Sequence, residues 1–409
     1  MRLLGIIALL ATAVAWGDSF AFTVHHPGEV VAGLEMSSPG SDWAAPGREA
    51  ALATLTLDGK AAQHVMLWAG ETRHTYSVFL GAIAAGEHWL AVERHPGYSA
   101  AGSRLSVHGA RFREVAPDDA VVSHAPVLFA RANTVGQFTD VPLLVYCERL
   151  GSALQYTVIF SNEDGGTSTR ALMARWGRTT DIEYVYRVEG ERATIQAKDH
   201  KEVEFRGRRE GRHPLLIPST QNNMVSDEGD SPIRYQLAPV LVDLASHSRE
   251  QVMDDAPVTY RVMAQELERE SKLRPFGTVD GEKIGDPRIY LYLEMKLSNR
   301  HAALAALVRL HGEDFWRSSH LGRPNYAISR DGWVRTTVEL PPGAGPGRIA
   351  EFGFECSIAE EKPPPVAGLC RVEAVSKAFF LGSDYVPGPG IWRLSIPVEI
   401  PTGILRVIR

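Results

Sequence analysis

Short segments in which apolar and polar residues alternate recur along most of the chain, and many of them end at Gly, Pro or Asp-Gly. The clearest spans 289–297, where every second residue from Ile289 to Leu297 is apolar. A period of two residues is typical of a β-strand whose two faces differ. The pattern therefore predicts a mainly β protein, with two or three β-sandwich-like domains and short helical connections.

Changes in this pattern divide the chain into regions. Residues 20–115 hold regularly spaced strands and predict an N-terminal β-sandwich. Pro117 lies in a short polar boundary, and residues 120–273 form a predicted central β-domain that carries a polar cluster. The spacing of apolar residues in 259–273 predicts a short helix. Residues 274–409 are expected to form a C-terminal β-region, which either has its own core or shares one with the central domain.

The first residues have the layout of a secretory signal peptide. Arg2 precedes an apolar run at 3–14, which is shorter than the roughly 20 residues needed to span a bilayer. Cleavage after Ala15 would make residues 1–15 the signal peptide, and the later alternative is cleavage after Ala21. The mature chain is therefore expected to be secreted or periplasmic, without a transmembrane segment, unless the run is kept as an uncleaved anchor.

Charge and motifs exclude several classes of function. The net charge of −6 provides no overall positive field that would attract nucleic acid or an anionic membrane. The sequence also contains no Gly-rich phosphate loop, no Gly-x-Ser-x-Gly elbow and no His-Glu-x-x-His motif. Nothing therefore indicates a nucleic-acid partner, a nucleotide site, a serine esterase or a zinc protease of the common kinds.

The chain has three cysteines. Cys356 and Cys370 flank a proline-rich loop, and two strands around such a loop would bring their sulfur atoms together. An exported protein permits disulfides, so this pair is either a disulfide or two free thiols. Cys147 lies in an apolar run and is expected to be a buried free thiol.

Two carboxylates stand out in the polar stretch at 175–230. Asp181 and Glu183 are two residues apart in a segment with strand character, so alternation places both on one face. Such a pair suits a general acid and base, because repulsion separates the two pKa values. It also suits a hard cation, and the remaining alternative is a solvated face with arginines such as Arg178 nearby.

A histidine follows one hairpin later. Pairing of 181–188 with 192–198, across a turn at 189–191, would bring the two ends of that hairpin together. His200 would then lie near Asp181, and an imidazole beside a carboxylate is a proton-transfer pair. The predicted catalytic residues are therefore Asp181, Glu183 and His200, and a surface Asp–His pair without function is the alternative.

A run of arginines comes next, in an otherwise acidic chain. Guanidinium groups grip carboxylated or sulfated glycans by bidentate contacts. The alternative is a solvated loop whose arginines are balanced by nearby glutamates. The candidate substrate-binding residues are Arg178, Arg206, Arg208, Arg209, His213 and Asn222.

A Gly-containing loop beyond this run is rich in oxygen ligands. Asp227, Glu228 and Asp230 are candidate metal ligands, because Ca²⁺ is bound by carboxylate oxygens. Their spacing departs from that of an EF-hand loop. Calcium therefore stays a candidate cofactor and a candidate stabiliser of the fold.

Three tryptophans in the first region have two interpretations. Trp43, Trp68 and Trp89 would either form a platform on which sugars stack or fill the core of the N-terminal sandwich.

The order of features in 125–230 resembles a known family. An Ala-Pro pair begins a strand, an aromatic strand follows, and further strands carry the carboxylates and two histidines. The matching positions are Ala125-Pro126, Tyr156, Thr180 to Glu183, His200 and His213-Pro214. In this order they resemble the bacterial and fungal family named for vacuolar protein sorting protein sixty-two.

The resemblance covers about a quarter of the chain. Ile182 stands where the family has Trp, and Thr220, Gln221 and Asn222 stand where it has Ser-His. The resemblance implies a β-sandwich and one cluster of Asp181, Glu183 and His200, and it carries no established reaction.

Two functions of different classes follow from these observations. The first is an exported protein that binds polysaccharide or another cell-envelope polymer, and hydrolyses it if it is an enzyme. A carboxylate-dependent glycan hydrolase would need Asp181 and Glu183 about 5–10 Å apart across a cleft. The second is a non-catalytic secreted binding or scaffold protein of the surface or envelope, stabilised by calcium or not.

Overall fold

The computed structural model describes residues 18–163, 165–361 and 365–408. The structure is mainly β, with its strands in several separate sheets and few short helices, as the alternation predicts. No helix in the described part of the chain is long and apolar enough to cross a membrane.

Two antiparallel sheets form the first region. One has the strand order β1-β6-β3-β4 and the other the order β5-β2-β7. The strands are β1 (Asp18–Val24), β2 (Gly28–Ser37), β3 (Leu52–Leu57), β4 (Lys60–Met66), β5 (His74–Ile83), β6 (Gly86–Arg94) and β7 (Ser106–Glu114). Cleavage of a signal peptide after Ala21 would divide β1, whereas Ala15 lies outside the described residues.

The central region contains a six-stranded sheet and a smaller one. Its elements are α1 (Ala120–Ser123), β8 (Val127–Phe129), β9 (Pro142–Leu150), β10 (Ala153–Phe160), α2 (Thr169–Trp176), β11 (Asp181–Glu189), β12 (Arg192–Ala197), β13 (Lys201–Glu204), β14 (Arg209–Glu210), β15 (His213–Pro218), β16 (Val225–Ser226), β17 (Arg234–Tyr235), β18 (Val240–Val242), α3 (Gln251–Asp255) and α4 (Val258–Arg269). The large sheet has the order β13-β12-β11-β10-β9-β18. The smaller has the order β14-β15-β8-β17, with β16 beside β15.

The C-terminal region is again a pair of sheets. Its strands are β19 (Tyr290–Arg300), β20 (Ala302–Leu310), β21 (Arg317–Ser318), β22 (Gly332–Glu339), β23 (Ile349–Ile358), β24 (Leu369–Phe380), β25 (Trp392–Leu394), β26 (Val398–Pro401) and β27 (Leu405–Ile408). One sheet has the order β22-β19-β24-β25, with β26 also on β24, and the other has the order β21-β20-β23-β27.

Strand β19 joins two hydrophobic cores. Leu291, Leu293 and Met295 point into the core between the two C-terminal sheets. Tyr290 and Tyr292 point the other way, into a core that continues through the central and first regions. The alternation at 289–297 therefore marks a strand with two buried faces, and it places the C-terminal sandwich directly against the central region.

Three local predictions can be compared with these elements. The predicted helix at 259–273 is confirmed in part as α4, which ends at Arg269, and Leu273 instead forms a β-bridge with Ile284. The alanine-rich segment at 302–310, which the sequence left between helix and strand, is β20. The single strand predicted at 391–400 is wrong, because Pro397 has no N–H to donate and the segment forms β25 and β26.

Each of the three cysteines has a state that the sequence offered as an expectation. Cys356 on β23 and Cys370 on β24 form a disulfide that links the two facing C-terminal sheets. Both sulfurs lie in the core between these sheets. Cys147 is a buried free cysteine, as predicted.

Candidate functional site

The predicted carboxylate pair lies at the start of β11. Asp181 is paired with Phe160 and Glu183 with Val158 in the antiparallel register of β10 and β11, so both carboxylates share one face. That face looks toward the smaller central sheet, and the two side chains are buried, with 2% and 8% exposure. The pair is thus enclosed between two sheets. The alternative of a solvated strand face is therefore wrong for these two side chains.

Asp181 is held by an amide from the loop after β15. Nδ2 of Asn223 lies 3.0 Å from Oδ2 of Asp181 and 3.2 Å from Oδ1 of Asp140. Burial raises the pKa of Asp181 well above its usual range, and repulsion by Glu183 and Glu163 adds to the rise. The Arg178 charge and the Asn223 hydrogen bond act in the opposite direction and leave a net increase.

His200 reaches the other member of the pair. Hairpin β11–β12 forms as predicted, but Glu189 lies opposite Arg192, so the turn is two residues long and the predicted three-residue turn at 189–191 is wrong. Gln196 then bridges the end of the hairpin, because its Nε2 lies 2.7 Å from Oε2 of Glu183 and 2.8 Å from Nδ1 of His200. Among the described residues no hydrogen bond joins His200 to Asp181, so the expected direct contact is not formed. The Gln196 amide instead links His200 to Glu183.

Several residues around this cluster have strained backbone. Asp140, Asp199, His200 and Asn223 have positive φ values of 52°, 62°, 54° and 54°. Residues other than glycine adopt this left-handed region at a cost, and such strain concentrates at functional sites. The cluster therefore combines buried like charges with unfavourable backbone, which the surrounding packing must stabilise.

Asp181→Asn is expected to stabilise the protein by about 1 kcal/mol at alkaline pH. The pKa of Asp181 is raised in the folded state, so its contribution to the free energy of unfolding is fully present below its unfolded-state pKa. This contribution is lost as the pH rises through the folded-state pKa. The neutral amide of Asn avoids that loss, so the free energies of unfolding of the two proteins should become equal near about pH 4. Urea unfolding at several pH values measures the difference.

The exposed Asp230 supplies a matched control for this substitution. Asp230→Asn should change stability by no more than about 0.5 kcal/mol at any of these pH values. An Asp181→Asn protein that is less stable than wild type at alkaline pH would show that the ionised carboxylate is needed by the fold.

Two of the six predicted substrate-binding residues are buried. Arg178 is 2% exposed and its Nε lies 3.1 Å from Oε1 of Glu250. The His213 ring stacks on Phe79, its Nδ1 lies 2.9 Å from the Ala125 carbonyl oxygen, and its Nε2 lies 3.2 Å from Glu29. This corrects the expectation that His213 extends the basic run, because its ring packs between the first and central regions.

The other predicted substrate-binding residues have local partners. Arg206 pairs with Glu204 at 2.7 Å and Arg208 with Asp230 at 3.6 Å, both on the surface. Arg209 donates to the Tyr186 hydroxyl at 2.7 Å and lies over the Phe205 ring. Asn222 accepts a hydrogen bond from Thr220. The basic run therefore follows the alternative of a solvated loop balanced by carboxylates.

The candidate calcium ligands do not converge. Oδ2 of Asp227 accepts from the backbone N–H of Arg206 at 2.6 Å, and Asp230 faces Arg208. No His, Cys, Asp and Glu side chains in the described part of the chain form a group of three or more that could hold a metal ion. Asp227, Glu228 and Asp230 are accordingly not arranged as a metal site.

A cleft of about 420 Å³ lies on the opposite face of the same large sheet. Thr157 on β10 stands between Tyr146 on β9 and Tyr184 on β11, and these side chains with Glu148 and Gln155 form its floor. Because successive residues on a strand point to opposite faces, this floor is turned away from Asp181 and Glu183. Gln196 belongs to both the cleft and the buried cluster.

Two walls rise above this floor. One is the segment 244–250, which is fixed by two hydrogen bonds from His247 and Ser248 to Glu294 of β19. The other is formed by Trp176 at the end of α2, with Arg330 just before β22 and Trp333 within it. The cleft therefore lies at the junction of the central and C-terminal regions and combines aromatic rings, guanidinium groups and carboxylates.

Most of these cleft residues carry no pattern that marks them in the sequence. Of the two interpretations of the tryptophans in the first region, Trp43 and Trp68 follow the one that places them in the core, and Trp89 is exposed on β6. Trp176 and Trp333 are brought together from segments that carry no shared motif. The sequence signal that was present is the polar stretch beginning at Arg175, which includes the first wall residue.

Comparison with known proteins adds no further information. No protein-family model matches this chain, and no curated protein matches it. The function must therefore be argued from the geometry of the cleft and of the carboxylate cluster.

Proposed function

We propose that this protein is an exported binding protein whose cleft on the central sheet binds a glycan of the cell envelope or surface. The observation that carries the proposal is the lining of the cleft, in which Trp176, Trp333 and Tyr184 are partly exposed beside polar side chains. Ligand sites are typically concave, with apolar or aromatic surface and a few polar groups that fix orientation.

The chemistry of this lining suits a sugar. An aromatic ring offers a flat apolar surface to the C–H face of a pyranose, while amides, carboxylates and guanidinium groups can bond to its hydroxyl groups. Gln155, Glu148 and Arg249 are polar cleft residues of this kind. The cleft is also bounded by charged residues along two walls, which favours a polar polymer over an apolar ligand.

Binding without catalysis is favoured over hydrolysis by the position of Asp181 and Glu183. A glycosidase needs two carboxyl groups that flank the scissile bond. These two are buried on the face of the sheet that is turned away from the cleft. The raised pKa of Asp181 is better explained by an internal polar cluster under the floor, which Gln196 connects to the cleft.

A hydrolase stays the second candidate because the cleft has two carboxylates of its own. Burial raises the pKa of Glu148, while Arg178 and Arg249 outweigh burial and lower the pKa of Glu250. Environments that push two carboxyl pKa values apart are typical of an acid and base pair. Against this candidate, Oε1 of Glu250 is already engaged by Arg178.

Trp176→Ala and Trp333→Ala are each expected to weaken glycan binding by about tenfold or more, which corresponds to a loss of about 1.4 kcal/mol. The reason is loss of aromatic surface from a wall of the cleft. Titration calorimetry with neutral and uronate-bearing oligosaccharides measures the affinities, and thermal melting checks that each variant is folded.

Trp89→Ala is the matched control, because Trp89 is 52% exposed on the first region and lies outside the cleft. It should bind as wild type does. Unchanged affinity in both cleft variants, or no binding of any oligosaccharide, would overturn the proposal. Release of reducing sugar by wild type that is abolished in Glu148→Gln would replace it with the hydrolase.

A further inference from the structure

Arg330 is a cation that lines the cleft beside Trp176. Its guanidinium carbon lies 4.9 Å from the centre of the Trp176 ring, so the group is stacked along one wall. Its Nη2 donates to the carbonyl oxygen of Arg175. Within the described ranges no Asp or Glu oxygen comes within salt-bridge distance of this guanidinium, although it lines the cleft and is half-buried.

Three further arginines lie near Arg330. Burial lowers its pKa, and the charges of Arg249, Arg178 and Arg175 lower it further. Glu250 is the opposing charge, but Arg178 already engages this carboxylate at 3.1 Å and Arg249 lies 3.8 Å from it. A guanidinium keeps its proton at neutral pH under such conditions, so Arg330 stays charged while its opposing carboxylate, Glu250, is shared with two other arginines.

Buried carboxylates offset part of this positive charge, because Glu183 and Asp181 raise the pKa of Arg249. Arg249 is anchored to the backbone, because its Nη1 donates to the Ile182 carbonyl oxygen at 2.6 Å. Glu148 lies on the floor of the cleft, where burial raises its pKa. The wall that holds Trp176 and Arg330 presents a guanidinium group next to an aromatic surface.

We infer that the ligand of the cleft is an acidic glycan and that Arg330 binds its anionic group, a carboxylate or a sulfate ester. This inference rests on the proposed glycan-binding function. A guanidinium presents parallel N–H donors that match a carboxylate or sulfate in a bidentate manner. The adjacent Trp176 ring would hold the sugar that carries this group.

Arginine is suited to this position for a physical reason. A planar guanidinium stacks on an aromatic face while its edge still donates, whereas the ammonium of lysine acts as a point charge. Arg330→Lys should therefore retain only part of the preference for an acidic ligand, and Arg330→Gln should lose most of it.

Three oligosaccharides with the same linkage test the inference. One carries uronate carboxylates, one has these carboxylates reduced to neutral hydroxymethyl groups, and one is neutral but sulfated. Wild type should bind one of the anionic forms at least about tenfold more tightly than the neutral form. That preference should shrink as salt concentration rises, because mobile ions screen the attraction.

Arg330→Gln should show less than about a threefold preference for the anionic form over the neutral form. Thermal melting checks that the variant is folded. Arg206→Gln is the matched control, since it removes the same charge from the exposed run and should keep the full preference. Comparison of the uronate and the sulfate ester identifies which anion the site prefers.

The outcomes separate this inference from the proposed function. Equal binding of neutral and anionic forms by wild type, lost in Trp176→Ala, would overturn the anion site and leave glycan binding intact. A preference that is removed by Arg206→Gln but kept in Arg330→Gln would overturn it too. No binding of any of the three would overturn the proposed function together with the inference.

Discussion

Replacing Arg335 with Met is expected to cost about 3–5 kcal/mol of folding free energy. Arg335 is fully buried, and its Nη1 and Nη2 lie 2.7 Å and 2.8 Å from the two carboxylate oxygens of Asp254. It also forms a salt bridge with the equally buried Glu294 and donates to the Tyr260 hydroxyl. Methionine would fill a similar length but leave buried carboxylates without their guanidinium.

The cost arises because the buried carboxylates of Asp254 and Glu294 would lose their guanidinium partner without regaining contact with water. Asp254 would keep Lys377, and Glu294 would keep hydrogen bonds from Ser248 and His247. Removal of one member of a buried charged network leaves an uncompensated charge in a medium of low polarity. Arg335 of β22 connects Asp254 of α3 to Glu294 of β19, so the loss would fall on the junction that supports the cleft.

Chemical unfolding of Arg335→Met and of two further variants tests this. Arg371→Met removes an arginine from an exposed pair with Glu399 in the same region, and it should cost less than about 1 kcal/mol. Adding Glu294→Gln to Arg335→Met should recover part of the loss, since it removes one stranded charge. An Arg335→Met protein as stable as wild type would contradict the account of this network.

Removing the Cys356–Cys370 disulfide is expected to lower the folding free energy by about 3 kcal/mol. The two cysteines are 14 residues apart and their Cα atoms are separated by 5.8 Å. A cross-link over a loop of about this length restricts the unfolded chain and so raises its free energy. The bond also joins facing sheets in the middle of their shared core, so its loss loosens the C-terminal sandwich.

The double variant Cys356→Ala/Cys370→Ala and a reducing agent give the two measurements. Both should lower the melting temperature of the protein, and the reducing agent should have no further effect on the double variant. Cys147→Ala is the matched control, because it removes a buried sulfur that forms no cross-link. A melting temperature that is insensitive to reduction would contradict a stabilising disulfide.

Local patterns in the sequence were sufficient for much of the fold. Alternation identified β19 and the hairpin of β11 and β12, because side-chain direction in a strand depends only on neighbouring residues. The same rule correctly put Asp181 and Glu183 on one face. Alternation could not tell that the face would be enclosed, because the covering loop at 220–224 comes from another sheet.

The cleft could not be read from the sequence for a related reason. Its floor comes from 146–196, one wall from 244–250, and the other from Trp176 together with 330–333. None of these segments has a motif, and their meeting depends on how the C-terminal sandwich packs against the central sheet. The basic run at 206–213 was a stronger sequence signal, but a charged run does not reveal whether each arginine already has a partner.

Local strain was equally hidden from sequence reasoning. Asp140, His200 and Asn223 adopt positive φ values that asparagine, aspartate and histidine visit more readily than most residues, but residue type alone does not identify where this happens. The family resemblance at 125–230 stays a prediction, and so do export and the domain boundaries.

Amide hydrogen exchange with and without the most tightly bound oligosaccharide tests directly whether the cleft is the glycan-binding site. Ligand binding slows exchange where it stabilises local structure. If the ligand binds in the cleft, we expect slower exchange in the two cleft walls, at 244–250 and around 330–333, and unchanged exchange in the basic run at 206–213. Slower exchange confined to that run, or to the first region around Trp89, would contradict the assignment of the binding site to the cleft.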